Sequence, residues 1–255
     1  TAVRSFSGHV DATDLRDLLA GIQAQAHRER GNRTPPTRLI NWSNRLQNFT
    51  AAVRLSRPID ALGAAESIFR DFDAVEEEIA GFVPALNPVM DRIRDLEQLA
   101  AKDPDPERGP DWGYAERQLR LIEYQVENGL YLQAAELARE WMVTTLIIRF
   151  GDSRRDWLDR DVRLTVERTL SGGVLKRQGK WFEPTELTAR FETLRGWEDM
   201  ADTWERVTGL RNDLAHCGMN TDSTGLASLE RRALSLSERL RAFFAANTPS
   251  TRDKE

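Results

Sequence analysis

The sequence predicts an all-α protein, and two observations carry that expectation. Apolar residues recur at intervals of three and four along nearly the whole chain, and strict apolar and polar alternation never runs long enough to make a sheet. From Asp14 to about His27, Leu15, Leu18, Leu19 and Ile22 form a first helical stripe, and Arg28 to Pro36, with Gly31 and two prolines, reads as a loop. Leu39, Trp42, Leu46, Phe49 and Val53 make a second stripe that Pro58 ends. A third helix is expected from Ile59 to about Arg70 or beyond, the acidic run Glu76 to Glu78 stays helical until Pro84, and Pro88 to Ala101 forms another helix.

The stretch Lys102 to Asp111, KDPDPERGPD, holds three prolines and a glycine and is the expected boundary between a helical coupling region, 1–101, and a second domain, 112–255. That second domain should open with a helix from Trp112 to Glu127 and turn at Asn128-Gly129. A helix from Tyr131 to about Phe150 has so few polar faces that it should be the buried centre. Further helices are expected at Arg155 to Leu170, Glu186 to Gly196, Trp197 to Val207 and Leu210 to Cys217. A polar loop follows at Asn220 to Gly225, and a last amphipathic helix ends near Ala246. Between the first two of these lies Ser171 to Pro184, SGGVLKRQGKWFEP, read as a glycine-rich basic loop.

Composition narrows the chemistry. The 255 residues are 40% hydrophobic and 30% charged, ordinary for a folded domain, and the longest uncharged apolar run, Trp141 to Ile148, is too short to cross a bilayer. No basic amino-terminal segment leads into a signal core, so the expected location is cytoplasmic, with no membrane partner. Cys217 is the one cysteine and excludes an intrachain disulfide; with only His9, His27 and His216 there is no Cys/His zinc set, and neither a metal nor another cofactor is expected. A net charge of -5 means that any nucleic-acid contact must come from a local patch.

The residues with chemical promise lie in GLRNDLAHCG, residues 209–218, where Arg211 and His216 enclose four residues. Arginine is so abundant, 32 residues, that roughly one such Arg and His spacing is expected by chance. Arg4 to His9 has it too, but Ser5 follows that arginine and RSFSGH carries no helical stripe. Around Arg211 the context differs: a helix precedes it, the polar Asn212 follows it, and Gly218 can terminate the helix. On a helix Arg211 and His216 stand about 140° apart, whereas Asn212 and His216, four residues apart, nearly stack, so Asn212 is expected to orient the imidazole.

Histidine titrates near neutrality and can move protons at a 2'-hydroxyl nucleophile or a leaving 5'-oxygen, while arginine offers a fixed fork of donors to the phosphate. Such a pair needs an internal nucleophile, which RNA has and DNA lacks. The expected chemistry is therefore metal-free RNA cleavage to a 2',3'-cyclic phosphate. One pair is meagre, and two copies about a twofold axis would supply two arginines and two histidines, so a homodimer is the expected active unit. The plainer reading makes His216 a surface histidine and Arg211 an ion-pair partner of Asp213 or Glu205. In the basic loop, Lys176, Arg177 and Lys180 interleave with Trp181 and Phe182, which suits phosphate contact and base stacking on single-stranded RNA, or equally a solvated hairpin anchored by its tryptophan.

Two segments carry a family resemblance. LRLIEYQVENGLYLQAAELAREWMVT, residues 119–144, resembles the helical hairpin of CRISPR-associated proteins that join a CARF sensor domain to a carboxy-terminal HEPN nuclease, and LRNDLAHCGM, residues 210–219, resembles their catalytic motif. Residues 40–68, with WSNRLQNF, are similar, less closely, to the helical region between the two. The resemblance implies a HEPN-type bundle preceded by a helical linker, with Arg211 and His216 as the catalytic pair and Asn212 as their polar companion. It implies, too, degradation of single-stranded RNA by a HEPN dimer in type III antiviral defence. Cyclic oligoadenylate would be the activating ligand, bound only at a sensor domain expected upstream of Thr1, since no strand and helix units of that kind occur in this chain. Two rivals remain: an inactive HEPN adaptor that binds RNA or protein, and a helical-repeat scaffold, suggested by Leu132, Ala134, Ala135 and Ala138, for which no second copy at a period of about 34 residues is present.

Overall fold

The structure, a computed structural model, describes residues 10–29, 34–152, 154–217, 219 and 224–248. Its described residues form eleven α-helices and two short 3-10 helices with no strand, only an isolated bridge between Asp105 and Gly109. No helix among them is long and apolar enough to cross a membrane. The Arg4 to His9 match and Gly218 lie outside the described residues, as does most of the Asn220 to Gly225 loop.

The chain divides between Asp103 and Pro104 into two compact units. The first holds α1 (Thr13–Glu29), α2 (Leu39–Arg54), α3 (Pro58–Phe69), α4 (Phe72–Phe82) and α5 (Asn87–Arg94), with 3-10 turns at Pro84–Leu86 and Asp95–Leu99. The expected stripe of α2 is its buried face: Leu39, Trp42, Leu46, Phe49 and Val53 are all enclosed. Trp42 could not be buried with its indole N–H unmet, and that group donates to the carbonyl of Ile68 at 3.2 Å. Pro58 starts α3, where its missing N–H costs nothing.

The second unit holds α6 (Trp112–Glu127), α7 (Tyr131–Phe150), α8 (Arg160–Arg177), α9 (Thr188–Glu192), α10 (Trp197–Ala215) and α11 (Leu226–Asn247). The Asp111 carboxylate caps α6 by accepting from the Tyr114 N–H at 2.8 Å, and α7 closes on Gly151 in the left-handed region, φ 82°. Helix α7 is the centre the apolar pattern predicts. It packs against α6, α8, α10 and α11, and Trp141 at its middle is fully buried, donating to Ala115 O at 2.8 Å and meeting Phe243 edge-on at 5.8 Å.

Several boundaries differ from the sequence expectation: the helix expected over Pro88 to Ala101 is α5 to Arg94 followed by the 3-10 turn Asp95–Leu99, and α8 starts at Arg160 rather than Arg155. Helix α8 runs through Gly172 and Gly173 to Arg177, so Lys176 and Arg177 belong to its last turn and the loop begins only at Gln178. These glycines are sites of close approach: a Cβ on Gly172 would lie 2.7 Å from the Phe182 ring, and one on Gly173 2.7 Å from Phe191. Helix α9 is a bare turn and a half, shorter than the expected Glu186 to Gly196. Conversely α10 is one helix where two were expected, because Met200, Ala201, Trp204, Val207 and Leu210 keep one buried stripe across Gly209. That burial outweighs the roughly 1 kcal/mol by which glycine disfavours a helix interior.

Candidate functional site

The Arg211 to His216 segment runs from the last turns of helix α10 to the first residue beyond it. Arg211 is half-buried, and Asn212 and His216 are exposed. His216 is the first residue beyond the helix, φ -80° and ψ 0°, and its backbone N–H still bonds to Asn212 O at 3.0 Å. Cys217 then turns the chain with a left-handed backbone, φ 52°, unusual for a residue with a side chain, and the Met219 N–H returns to His216 O at 2.8 Å. Met219, at 88%, and Leu226, at 85%, are the most exposed large aliphatic side chains described.

Arg211 lacks the partner that the plainer reading gave it, while His216 is at the surface as that reading has it. Asp213 is held by Arg232 of α11 at 2.5 Å and by the Thr224 hydroxyl at 3.1 Å, and Glu205 is held by Arg177 and Gln178. Arg211 makes one long contact, Nη1 to Asn212 Oδ1 at 3.4 Å. Asn212 therefore faces Arg211 with its amide and touches His216 through the backbone; its amide does not orient the imidazole, contrary to the expectation from i, i+4 stacking. The reason is that His216 has left helical geometry, so the stacking rule no longer sets where its ring stands. Among the described residues no carboxylate bonds the Arg211 guanidinium or the His216 imidazole.

The basic segment separates into two parts. Lys176 pairs with Glu192 at 2.5 Å and lies 5.8 Å from the Trp197 ring, and Arg177 pairs with Asp202 at 3.1 Å and with Glu205. Both charges are committed to holding α8 against its neighbours. Lys180 and Trp181 form the exposed tip, with Trp181 86% exposed, while Phe182 and not the tryptophan anchors the loop, on the bare backbone of Gly172. Glu205, which receives this segment, precedes Arg211 by six residues, or ~9 Å along the helix axis.

A groove of about 820 Å³ in this unit lies toward the opposite end of α10 and does not include Arg211 or His216. Its lining balances Arg149, Arg195 and Arg239 against Asp199, Asp202 and Glu238. Arg149 is spent on the carboxyl end of α11, donating to Asn247 O at 2.9 Å, and burial lowers its pKa. Asp202 is held below the usual carboxylate range by its hydrogen bond from Arg206, and then by the charges of Arg206, Arg177 and Arg239. Among the described residues no three His, Cys, Asp or Glu side chains converge as a metal set.

Sequence reasoning missed Arg232 and Thr224, which no motif marks and which meet Asp213 only because α11 packs back along α10. No protein-family model matches this chain, and no curated protein matches it in sequence.

Proposed function

We propose that the second unit is a metal-independent endoribonuclease domain of the HEPN kind, cutting single-stranded RNA at a site composed from two copies of the chain. One observation carries the reading: Arg211 and His216 stand about a turn and a half apart at the accessible end of α10, and among the described residues neither the guanidinium nor the imidazole has a carboxylate partner. A histidine with water access is free to take the 2'-hydroxyl proton or to protonate the leaving 5'-oxygen. An arginine not neutralised by a neighbour keeps its donors for the phosphate. The exposed Met219 and Leu226 beside this turn give the second copy an apolar surface to cover. Lys180 and Trp181 supply a cation and a π-face for an approaching strand. Lys176 and Arg177 add only charge already offset by carboxylates.

The test is cleavage of a labelled single-stranded RNA with EDTA present. The parent is expected to cut and to leave 2',3'-cyclic phosphate ends, and Arg211→Ala and His216→Ala are each expected to lower the cleavage rate by about 10² to 10⁴. Strict dependence on a divalent metal would end the proposal. Among the described residues no side chain bonds the His216 ring, which favours one second reading, an adaptor that binds RNA without cutting it. In that case both alanine variants bind RNA as the parent does, and no preparation cleaves.

A further inference from the structure

The turn that presents His216 is strained and exposed, and something must hold it. Cys217 adopts φ 52°, a conformation that persists in a residue with a side chain only where the surroundings over-determine it. Among the described residues the turn is held by three backbone links, His216 N–H to Asn212 O at 3.0 Å, Cys217 N–H to Leu214 O at 3.2 Å and Met219 N–H to His216 O at 2.8 Å, beside a weak Cys217 Sγ contact to Ala215 O at 3.6 Å. All three sit beside exposed residues, where water competes for the same groups.

Asp213 lies one turn before this point and is fastened from outside the helix. A single oxygen, Oδ2, accepts from Arg232 Nη1 at 2.5 Å and from Thr224 Oγ1 at 3.1 Å. Arg232 stands on α11 and Thr224 just before it, so the one carboxylate ties both the returning chain and the next helix to the end of α10. Gly209, four residues before Asp213 and on the same face, lies beside the guanidinium: a Cβ there would stand at ordinary contact distance, 3.5 Å, from Arg232 Nη2. The pair is partly shielded, with side-chain exposures of 26% for Asp213 and 37% for Arg232.

We infer that Asp213 and Arg232 are the positioning pair of the site: an ion pair between α10 and α11 that, with Thr224, clamps the turn carrying His216. This rests on the nuclease reading for its catalytic consequence but not for its structural one. Neither residue is a catalytic residue; the pair acts through His216. Because it fixes where the imidazole stands without being required for RNA to bind, it governs turnover more than affinity.

The experiment compares Asp213→Asn, Arg232→Gln and Arg232→Lys with the parent and with His216→Ala, by RNA cleavage and by amide hydrogen exchange. The first two variants are expected to lose kcat by about tenfold to a hundredfold with KM held within about twofold, the loss that a misplaced group brings. Arg232→Lys, which keeps the charge, is expected to recover most of the rate. The amides of His216, Cys217 and Met219 are expected to exchange faster in Asp213→Asn and Arg232→Gln, while that of Val207, inside α10, keeps its protection and shows the fold intact. Unchanged exchange at those three amides in both variants overturns the inference whatever the cleavage result. So does a parent-like kcat in both variants alongside an inactive His216→Ala. A parent that cuts no RNA but shows the pair-dependent exchange removes the nuclease reading and still supports the clamp.

Discussion

The middle of α7 and the end of α10 belong to the same unit and solve opposite problems. At Trp141 the indole N–H is met inside the protein, by Ala115 O, and the ring packs edge-on against Phe243. Around His216 the side chains face water, one residue is held in a left-handed conformation, and Met219 and Leu226 present apolar surface to solvent. The first arrangement maximises burial and can tolerate little change; the second forgoes burial and leaves titratable and cationic groups available. Chemistry grafted on a rigid scaffold calls for both, because reacting groups must be reachable while the elements beneath them stay still.

If that contrast is right, damage at the two places should appear in different measurements. Replacing His216 or Arg211 by alanine should cost about 10² to 10⁴ in RNA cleavage rate, while the thermal midpoint stays within a few degrees; a large fall in midpoint would mean these residues are structural after all. Trp141→Ala should do the reverse, lowering stability to urea by about 3–5 kcal/mol, since it empties a fully enclosed site and removes the indole bond to Ala115 O. Gly173→Ala tests the tight seam between α8 and Phe191. Its new methyl should cost about 1–3 kcal/mol by overpacking, read from the same urea curves, and a neutral result would mean the seam can open.

The smallest expected change runs the other way. Cys217→Gly should stabilise the domain by about 0.5–1 kcal/mol, because glycine takes φ 52° without a Cβ clash, and equal midpoints would show that the turn carries no strain. The acid side offers a separate check through Asp202. Its pKa is depressed in the folded state, first by the hydrogen bond from Arg206, so its contribution is complete above the ordinary carboxylate pKa of about 3.9 and is lost as pH falls through the lower folded value. Asp202→Asn should therefore lie below the parent in stability at pH 7 and converge with it in strong acid, and a gap that does not narrow would locate the effect elsewhere.

Much of this architecture is readable from residue order. The stripe Leu39, Trp42, Leu46, Phe49, Val53 names the buried face of α2, and the nearly featureless apolar run of 131–150 names the central helix, because burial is what a period of 3.6 encodes. Glycine was where local reasoning failed. Gly172 and Gly173 read as a loop signal, yet they stay helical because Phe182 and Phe191 press on them. Gly209 falls between two expected helices, yet it sits inside α10 beside Arg232. A missing side chain signals flexibility in isolation and close packing in company, and only the neighbours distinguish the two. At the candidate site the Arg211 and His216 spacing was visible, but the commitment of Asp213 to Arg232 and of Lys176 and Arg177 to Glu192, Asp202 and Glu205 was not.

By itself the amino-acid order determined that this chain is helical, which faces of its helices are apolar, and that an arginine and a histidine stand five positions apart near the end of one of them. Those are properties of neighbours within a turn or two, where geometry follows from the chain. Which cations are spent on ion pairs and which stay free was decided only when helices distant in sequence packed together, because a charge is neutralised by whatever the fold brings within reach of it.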